Sequence, residues 1–321
     1  MGGKCDVITG GEKMEAFLTL KGIAAVYQNG AKRFIKAVDG VSLTIFCGET
    51  FGLVGESGSG KTTLGKIVAG LERPCRGSLY LKGKRIEPGI RREVQMVFQD
   101  SAAALNPRLS VADLVEEGLV IQKTGNRIER EQRVSEILDD VGLDKKMLKR
   151  YPHQLSGGQR QRVALARTLV VLPSVIVLDE PVSALDVTAS ARLLILLARL
   201  KETYGLSYLF ISHNLAVVLQ ICERVAVMHL GKIVESGRVE TVFNFPAHPY
   251  TRLLLDAHPH PDPQKKMPPF QLAESEHLLS TVSGCSFYQR CPKAALRCRR
   301  IAPTLAQKTE GHFVACHSTS T

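Results

Sequence analysis

The sequence predicts an α/β fold, and three observations carry that reading. Apolar runs of strand length lie at 51–55, 175–178, 207–211 and 225–228. Runs of this kind suit strands buried on both faces of a parallel sheet. Segments of helical spacing at 61–69 and 215–222 alternate with them. The first run leads directly into Gly55-Glu-Ser-Gly-Ser-Gly-Lys-Thr62, a glycine-rich loop between a strand and a helix. That is the context in which such a loop holds phosphate.

The chemistry of the loop follows from its residues. Gly55, Gly58 and Gly60 let the backbone turn tightly and approach a ligand without a Cβ clash. Successive N–H groups, with Glu56, Ser57 and Ser59 between the glycines, then point at phosphate oxygens, helped by the positive end of the helix. Lys61 is expected to reach the β- and γ-phosphates and Thr62 to ligate Mg²⁺ through its hydroxyl, with Thr63 completing the site. ATP and Mg²⁺ are therefore the expected ligands. The run 175–178 ends at Asp179-Glu180. Asp179 is placed to hold the Mg²⁺ shell. Glu180 is placed to polarise an attacking water, a role worth about 10²–10⁴-fold in rate.

Composition bounds the rest. The 321 residues suffice for two domains and an appendage, and 44% hydrophobic content is ordinary for a globular protein. The apolar stretch 193–198 is far short of the ~18–20 residues that span a bilayer. No apolar leader opens the chain, so a cytoplasmic protein held at the membrane by partners is expected. The net charge of +11 is spread along the chain rather than gathered in a basic block. It fits phosphate contacts and an anionic membrane surface better than nucleic acid.

Along the chain, residues 1–16 are polar and read as a loose N-terminus, and 17–99 hold the first strands and the phosphate loop. Residues 77–83 read as a hairpin strand ending in a turn. Residues 100–158 lack β-branched runs and show helical periodicity at 111–119 and 130–141. Residues 159–244 return to alternating strand and helix. From 245 the composition shifts: seven of the fifteen prolines fall in residues 246–269, which reads as a semi-rigid extended connector without a regular helix. His248, His258 and His260 sit among these prolines and read as solvated.

With Lys61, Gln99, Leu155-Ser-Gly-Gly-Gln159, Asp179-Glu180, Asp186 and His213 in this order, the chain resembles the ATP-binding cassette (ABC) ATPases over roughly residues 17–250. The resemblance implies a RecA-like P-loop core (17–99 and 159–244) with an antiparallel β subdomain. It also implies an inserted α-helical subdomain (100–158) and a small cysteine-rich C-terminal extension within 245–321. It implies that Gln99 touches Mg²⁺ and the attacking water and senses a membrane partner, and that His213 contacts the γ-phosphate. Leu155, Ser156, Gly157, Gly158 and Gln159 would bind nucleotide held by an opposite subunit, with Asp186 communicating across that dimer. Tyr27 would stack on adenine, with Phe34 a competing aromatic. Asn214 departs from the family's usual aspartate, yet either residue caps the helix at 215–222. Arg160 and Arg162 follow the signature and read equally as helix-surface charge or as functional.

Three stretches narrow the resemblance: Leu105-Asn-Pro-Arg108, Tyr151-Pro-His-Gln154 ahead of the signature, and His248-Pro-Tyr-Thr-Arg-Leu-Leu-Leu255. Together they are similar to the ATPase subunits of oligopeptide, dipeptide and nickel permeases. That implies a second ATPase subunit (a paralogue or the same chain), two transmembrane permease subunits and an extracytoplasmic substrate-binding protein. The expected function is ATP hydrolysis powering a peptide importer. A nickel or metal-chelate importer is the alternative within the family, and a soluble ABC ATPase acting on nucleic acid or ribosomes is the alternative outside it.

Eight cysteines are present. Cys5, Cys47, Cys75 and Cys222 are scattered and expected as thiols. Cys285, Cys291, Cys298 and Cys316 follow a C-x₅-C-x₆-C-x₁₇-C spacing. This fits a zinc ribbon poorly and suits an iron–sulfur cluster better, with two disulfides or free thiols also open. The run Gly284-Cys-Ser-Phe-Tyr-Gln-Arg-Cys-Pro292 resembles the tail of many peptide-permease ATPases, which implies a [4Fe–4S] cluster on those four cysteines.

Overall fold

The computed structural model describes residues 15–29, 33–87, 89, 92–257 and 284–319. Its strands in chain order are β1 (Ala16–Asn29), β2 (Arg33–Phe46), β3 (Thr50–Val54), β4 (Arg76–Leu81), β5 (Lys84–Ile86) and β6 (Val94–Val97). They continue with β7 (Val175–Asp179), β8 (Ser207–Ser212), β9 (Arg224–His229), β10 (Lys232–Arg238), β11 (Ala306–Thr309) and β12 (His312–Val314). The helices are α1 (Lys61–Val68), α2 (Ser101–Ala104), α3 (Val111–Ile121), α4 (Arg127–Asp140), α5 (Gly157–Leu169), α6 (Val187–Tyr204), α7 (Leu215–Ile221), α8 (Val239–Asn244), α9 (Pro249–Asp256) and α10 (Leu296–Arg300).

The main sheet is mixed, in the order β11-β12-β10-β9-β3-β8-β7-β6. Its centre, from β9 to β6, is parallel. A second, antiparallel sheet runs β2-β1-β4-β5. The expected hairpin at 77–83 is β4 turning into β5 through Lys82 and Gly83, both at positive φ. α4 starts three residues earlier than its periodicity implies, because Asn126 and Glu129 form a capping box ahead of it.

The near-continuous apolar strands are explained by the layers they separate. Side chains alternate faces along a strand. Ile176 and Leu178 of β7, and Tyr208 and Phe210 of β8, pack in one core with helices α3, α4, α5 and α6. Val175 and Val177, and Leu209 and Ile211, pack in the other core with α1 and the antiparallel sheet. Both faces are buried, so both periodic positions of β7 and β8 are mainly apolar.

The C-terminal part of the chain adds to this sheet. β12 pairs with β10 through Glu235 opposite Val314 and Ser236 opposite Phe313. Glu235 is fully buried; it accepts from the backbone N–H groups of Ala247 (2.8 Å) and His248 (2.9 Å) and lies 2.7 Å from His312 Nε2. The expectation of a helix-free, solvated connector is overturned for its first part. α9 begins with Pro249 at its first position, where a missing N–H costs nothing. His248 is 1% exposed and caps that helix, its Nδ1 accepting from Tyr250 N at 3.0 Å. His258, His260 and the rest of 258–269 lie outside the described residues, as do 1–14.

The cysteines require a second correction. Among the described residues no group of three or more His, Cys, Asp or Glu side chains could hold a metal ion. Cys285, Cys291 and Cys298 are free thiols, and Cys316 is not in a disulfide. The expected [4Fe–4S] cluster is therefore withdrawn. Cys285 and Cys298 belong to the hydrophobic core, Cys291 packs against it, and Cys316 Sγ lies 3.1 Å from Ser318 Oγ. Burial pushes the Cys285 and Cys291 thiols up, away from the thiolate a metal needs. They act as small apolar side chains. Cys47, expected as a thiol, is in a disulfide, whereas Cys75 and Cys222 are free.

His229 and His248 are both buried, and burial holds each down to about 4 from an ordinary 6.5. Both are neutral in the fold, while the unfolded chain takes up protons below its ordinary value. Stability tied to them is therefore complete above pH 6.5 and is lost as pH falls toward 4, by about 2 kcal/mol per histidine at pH 4.5. His248→Asn keeps a capping oxygen and removes one of the two groups. Thermal melts of this variant should fall less steeply than the parent's between pH 6.5 and 4.5, and parallel curves would show that His248 titrates normally.

Candidate active site

The phosphate loop links β3 to α1. It is open only to glycine where it passes neighbouring backbone. A Cβ on Gly55 would sit 2.1 Å from the Met228 carbonyl oxygen, and one on Gly60 would sit 2.0 Å from that of Ala37. Gly60 caps α1 without a side-chain hydrogen bond, and no acidic residue lies in the first turn. The amides there remain available to an anion. Ser57 and Gly58 are exposed at the tip, and Ser59 is buried.

Lys61 is 5% exposed, and its Nζ donates to the carbonyls of Gly55 and Glu56 at 2.8 Å each and to Ser59 Oγ at 3.4 Å. Burial lowers its pKa, opposed by the charges of Glu180, Asp179 and Glu56. A buried ammonium bound only to neutral oxygens is matched to phosphate, which supplies the compensating charge. Thr62 Oγ1 donates to Asp179 Oδ1 at 3.2 Å. These are two hard oxygen donors at one point, the set that magnesium prefers. Burial raises the Asp179 carboxyl, and the Thr62 hydrogen bond works against that rise.

Glu180 follows β7 at φ 46, in the left-handed region that costs a non-glycine residue strain. Its N–H donates to Ile211 O at 2.9 Å, which fixes the turn onto β8. Its side chain then joins two other expected residues. Gln99 Nε2 donates to Oε2 at 2.8 Å, and His213 Nδ1 lies 2.9 Å from Oε1. Gln99, Asp179, Glu180, His213 and the loop all sit just past the carboxyl ends of β6, β7, β8 and β3, which are neighbours in the parallel sheet. That edge is where open α/β sheets bind ligands. Asn214 caps α7 as expected, Oδ1 accepting from Ala216 and Val217.

The signature lies elsewhere. Ser156 caps α5, and Ser156 and Gln159 form a capping box. A Cβ on Gly158 would meet nothing within 4 Å, so this helix start is open to approach. Leu155 is buried beneath it. Ser156, Gly157, Gly158 and Gln159 line a concavity with Asp186, which caps α6, and its lining includes no phosphate-loop residue. Within one chain the cavity lined by the signature half of the expected nucleotide site does not include the phosphate-loop half. Arg160 and Arg162 donate to the backbone carbonyls of Leu155 (2.7 Å) and Val141 (2.6 Å), and Arg162 also lines the concavity.

Tyr27 is 40% exposed and its hydroxyl bonds to Glu72 and to Thr63, the residue after Thr62. Phe34, at 65% exposure, is the freer ring. The sequence reading missed Tyr250 and Arg290. The Tyr250 hydroxyl accepts from Glu56 N at 2.9 Å, and Arg290 pairs with the Glu56 carboxylate through two bonds of 2.8 and 2.7 Å. No local pattern in the sequence could reveal a partner 234 positions away.

The family model for ABC transporters matches residues 38–183, and that for the oligopeptide/dipeptide transporter C-terminal region matches 234–298. A dipeptide transport ATP-binding protein of Haemophilus influenzae is 43% identical over 290 residues, covering 88% of this chain and 89% of that protein. A di/tripeptide transport ATP-binding protein of Pseudomonas aeruginosa is 42% identical over 318 residues, covering 95% of this chain and 98% of that one. Among solved structures, a dimeric ATP-binding cassette in a post-hydrolysis state, bound to ADP and Pi, superposes with a TM-score of 0.63 at 31% identity. The match covers 69% of this chain and 98% of that one. A phosphate loop, a carboxylate relay at the sheet edge and two family matches along one chain agree: this protein belongs to the ABC transporter ATP-binding proteins of the oligopeptide/dipeptide type.

Proposed function

We propose that this chain is the ATP-hydrolysing subunit of an importer of di- or oligopeptides. The peptide substrate class rests on the names of the relatives, which favour neither nickel uptake nor nucleic-acid work. The observation that carries the catalytic reading is the Glu180 carboxylate, held by Gln99 and His213 beside Lys61, Thr62 and Asp179. Lys61 Nζ exchanges its carbonyl partners for β- and γ-phosphate oxygens. Glu180 takes the proton of the attacking water, with Gln99 and His213 fixing the direction of its two oxygens. Thr62 and Asp179, with Gln99 from just past the neighbouring strand β6, would hold magnesium, which neutralises charge on the phosphates when bound.

The division of labour follows the expected domains: 17–99 and 159–244 bind and hydrolyse ATP, and 100–158 carries the signature and meets the membrane subunits. Leu155, Ser156, Gly157, Gly158, Gln159 and Asp186 complete the site of a neighbouring copy or paralogue. Supporting this are the open start of α5 and the cavity it shares with Asp186, apart from the phosphate loop of its own chain. Tyr27 stacks on adenine from beside α1. Two permease subunits and an extracytoplasmic binding protein complete the importer, and the chain sits peripherally on the cytoplasmic face of the membrane. No helix among the described residues is long and apolar enough to cross it.

Glu180→Gln keeps the hydrogen bond from Gln99 and loses the base. It should bind ATP with parental affinity, hydrolyse it about 10²–10⁴-fold more slowly, and accumulate as a dimer in size-exclusion runs with ATP. Turnover near the parental rate would overturn the assignment of the base. Adding Ser156→Arg to that variant should abolish the ATP-dependent dimer while leaving ATP binding by each chain intact. A dimer that survives would place the shared contact elsewhere.

A further inference from the structure

Residues 284–291 form a compact plug behind the phosphate loop. Cys285 N donates to Cys298 O at 2.7 Å, and a Cβ on Gly284 would sit 2.2 Å from that same oxygen, so the segment is folded tightly on itself. Phe287 is 1% exposed, with ring centroids of His229 and Tyr250 each 5.4 Å away. Ser286 Oγ lies 3.0 Å from His229 Nδ1. From this platform Arg290 reaches over the Phe287 ring, at 5.8 Å, to Glu56.

Glu56 is thereby held at three points. Its N–H donates to the Tyr250 hydroxyl, its carbonyl accepts from Lys61 Nζ, and its carboxylate takes both bonds of the Arg290 fork. Such a two-point pair fixes direction as well as charge. It is only partly exposed, at 16% for the arginine and 31% for the glutamate. Burial pushes the Glu56 carboxyl up, but Arg290's hydrogen bonds and charge outweigh that and hold it below its ordinary value. The loop that receives a triphosphate therefore carries a full negative charge of its own.

We infer that Arg290 is a positioning residue for nucleotide binding: it neutralises the Glu56 carboxylate and holds it away from Lys61 and the phosphate site. Without the arginine, the charged group that Glu56 still feels near neutral pH is Lys61, since burial keeps His229 uncharged. The carboxylate then competes with the incoming phosphates and repels them. The inference deepens the ATP-site reading and rests on residues 55–63 being the nucleotide loop.

The test uses the full chain, with ATP as ligand and substrate. Arg290→Ala should raise the KM for ATP roughly tenfold and change kcat much less, the mark of lost binding rather than lost chemistry. Arg290→Ala with Glu56→Gln should recover to within about threefold of the parent, because the offending charge is gone. A purely structural tail would give no such rescue. A KM for Arg290→Ala within twofold of the parent overturns the inference, and so does a defect that Glu56→Gln fails to relieve. If Arg290→Ala does not fold by thermal melting, Arg290→Gln is read against the same two outcomes, since it keeps most of the side chain's length and polarity and loses the charge. Lys61→Ala separates the two levels. Its loss of ATP binding alongside an unaffected Arg290→Ala rejects the arginine's role alone, whereas retained binding in Lys61→Ala rejects the ATP site itself.

Discussion

Parallel pairing of β7 with β8, from Val175 opposite Ser207 to Asp179 opposite Ile211, is the constraint on which the reacting edge depends. It sets Asp179 and Glu180 level with the end of β8, so that His213 emerges beside them. β3, on the other side of β8, delivers Gly55 to the same edge through Val54 opposite Ser212. β6 brings Gln99 from the far side of β7. Four strands far apart in sequence thus end at one line. The hydrogen bonds from Gln99 and toward His213 then need only side-chain reach to meet at Glu180. Because residues alternate faces, a shift of one residue in β7 would also exchange its two sets of apolar side chains between the two cores. Packing therefore enforces the register that chemistry requires.

Strain and charge are concentrated at that edge. Glu180 is held at positive φ by its own N–H on Ile211, and its carboxylate lies between Gln99 and His213. Lys61 lies buried with neutral oxygens as its hydrogen-bond partners. Neither arrangement is the lowest in energy for an isolated residue. Both are tolerated because the surrounding strands are buried on both faces, and the Lys61 ammonium leaves a positive charge that a phosphate group satisfies.

What was legible in the sequence was local. The strands at 175–178 and 207–211 declared themselves by unbroken apolar character, and the phosphate loop by eight consecutive residues in a strand–loop–helix setting. Asn214 was recognisable as a cap from residue type alone. What was not legible depended on distant neighbours. His248 reads as a solvated residue among prolines until Glu235 and Tyr250 enclose it. Cysteine spacing counts positions along the chain and says nothing of burial. Cys285 and Cys298 turn inward into the core, and the clamp inferred from their spacing does not form. Arg290 offers no local signal at all, because its meaning is set by Glu56 across the fold.

The placement of β12 and of the plug has a consequence for how small a working version of this protein can be made. Cutting the chain after residue 257 would strip β12 from β10, leaving a bare edge and an uncovered Glu235. It would also uncover the faces of Tyr250 and His229 that Phe287 seals. A version that keeps β10 paired and Phe287 in place is thus longer than the stretch between the phosphate loop and His213. The terminal segment is built into the engine rather than hung from it.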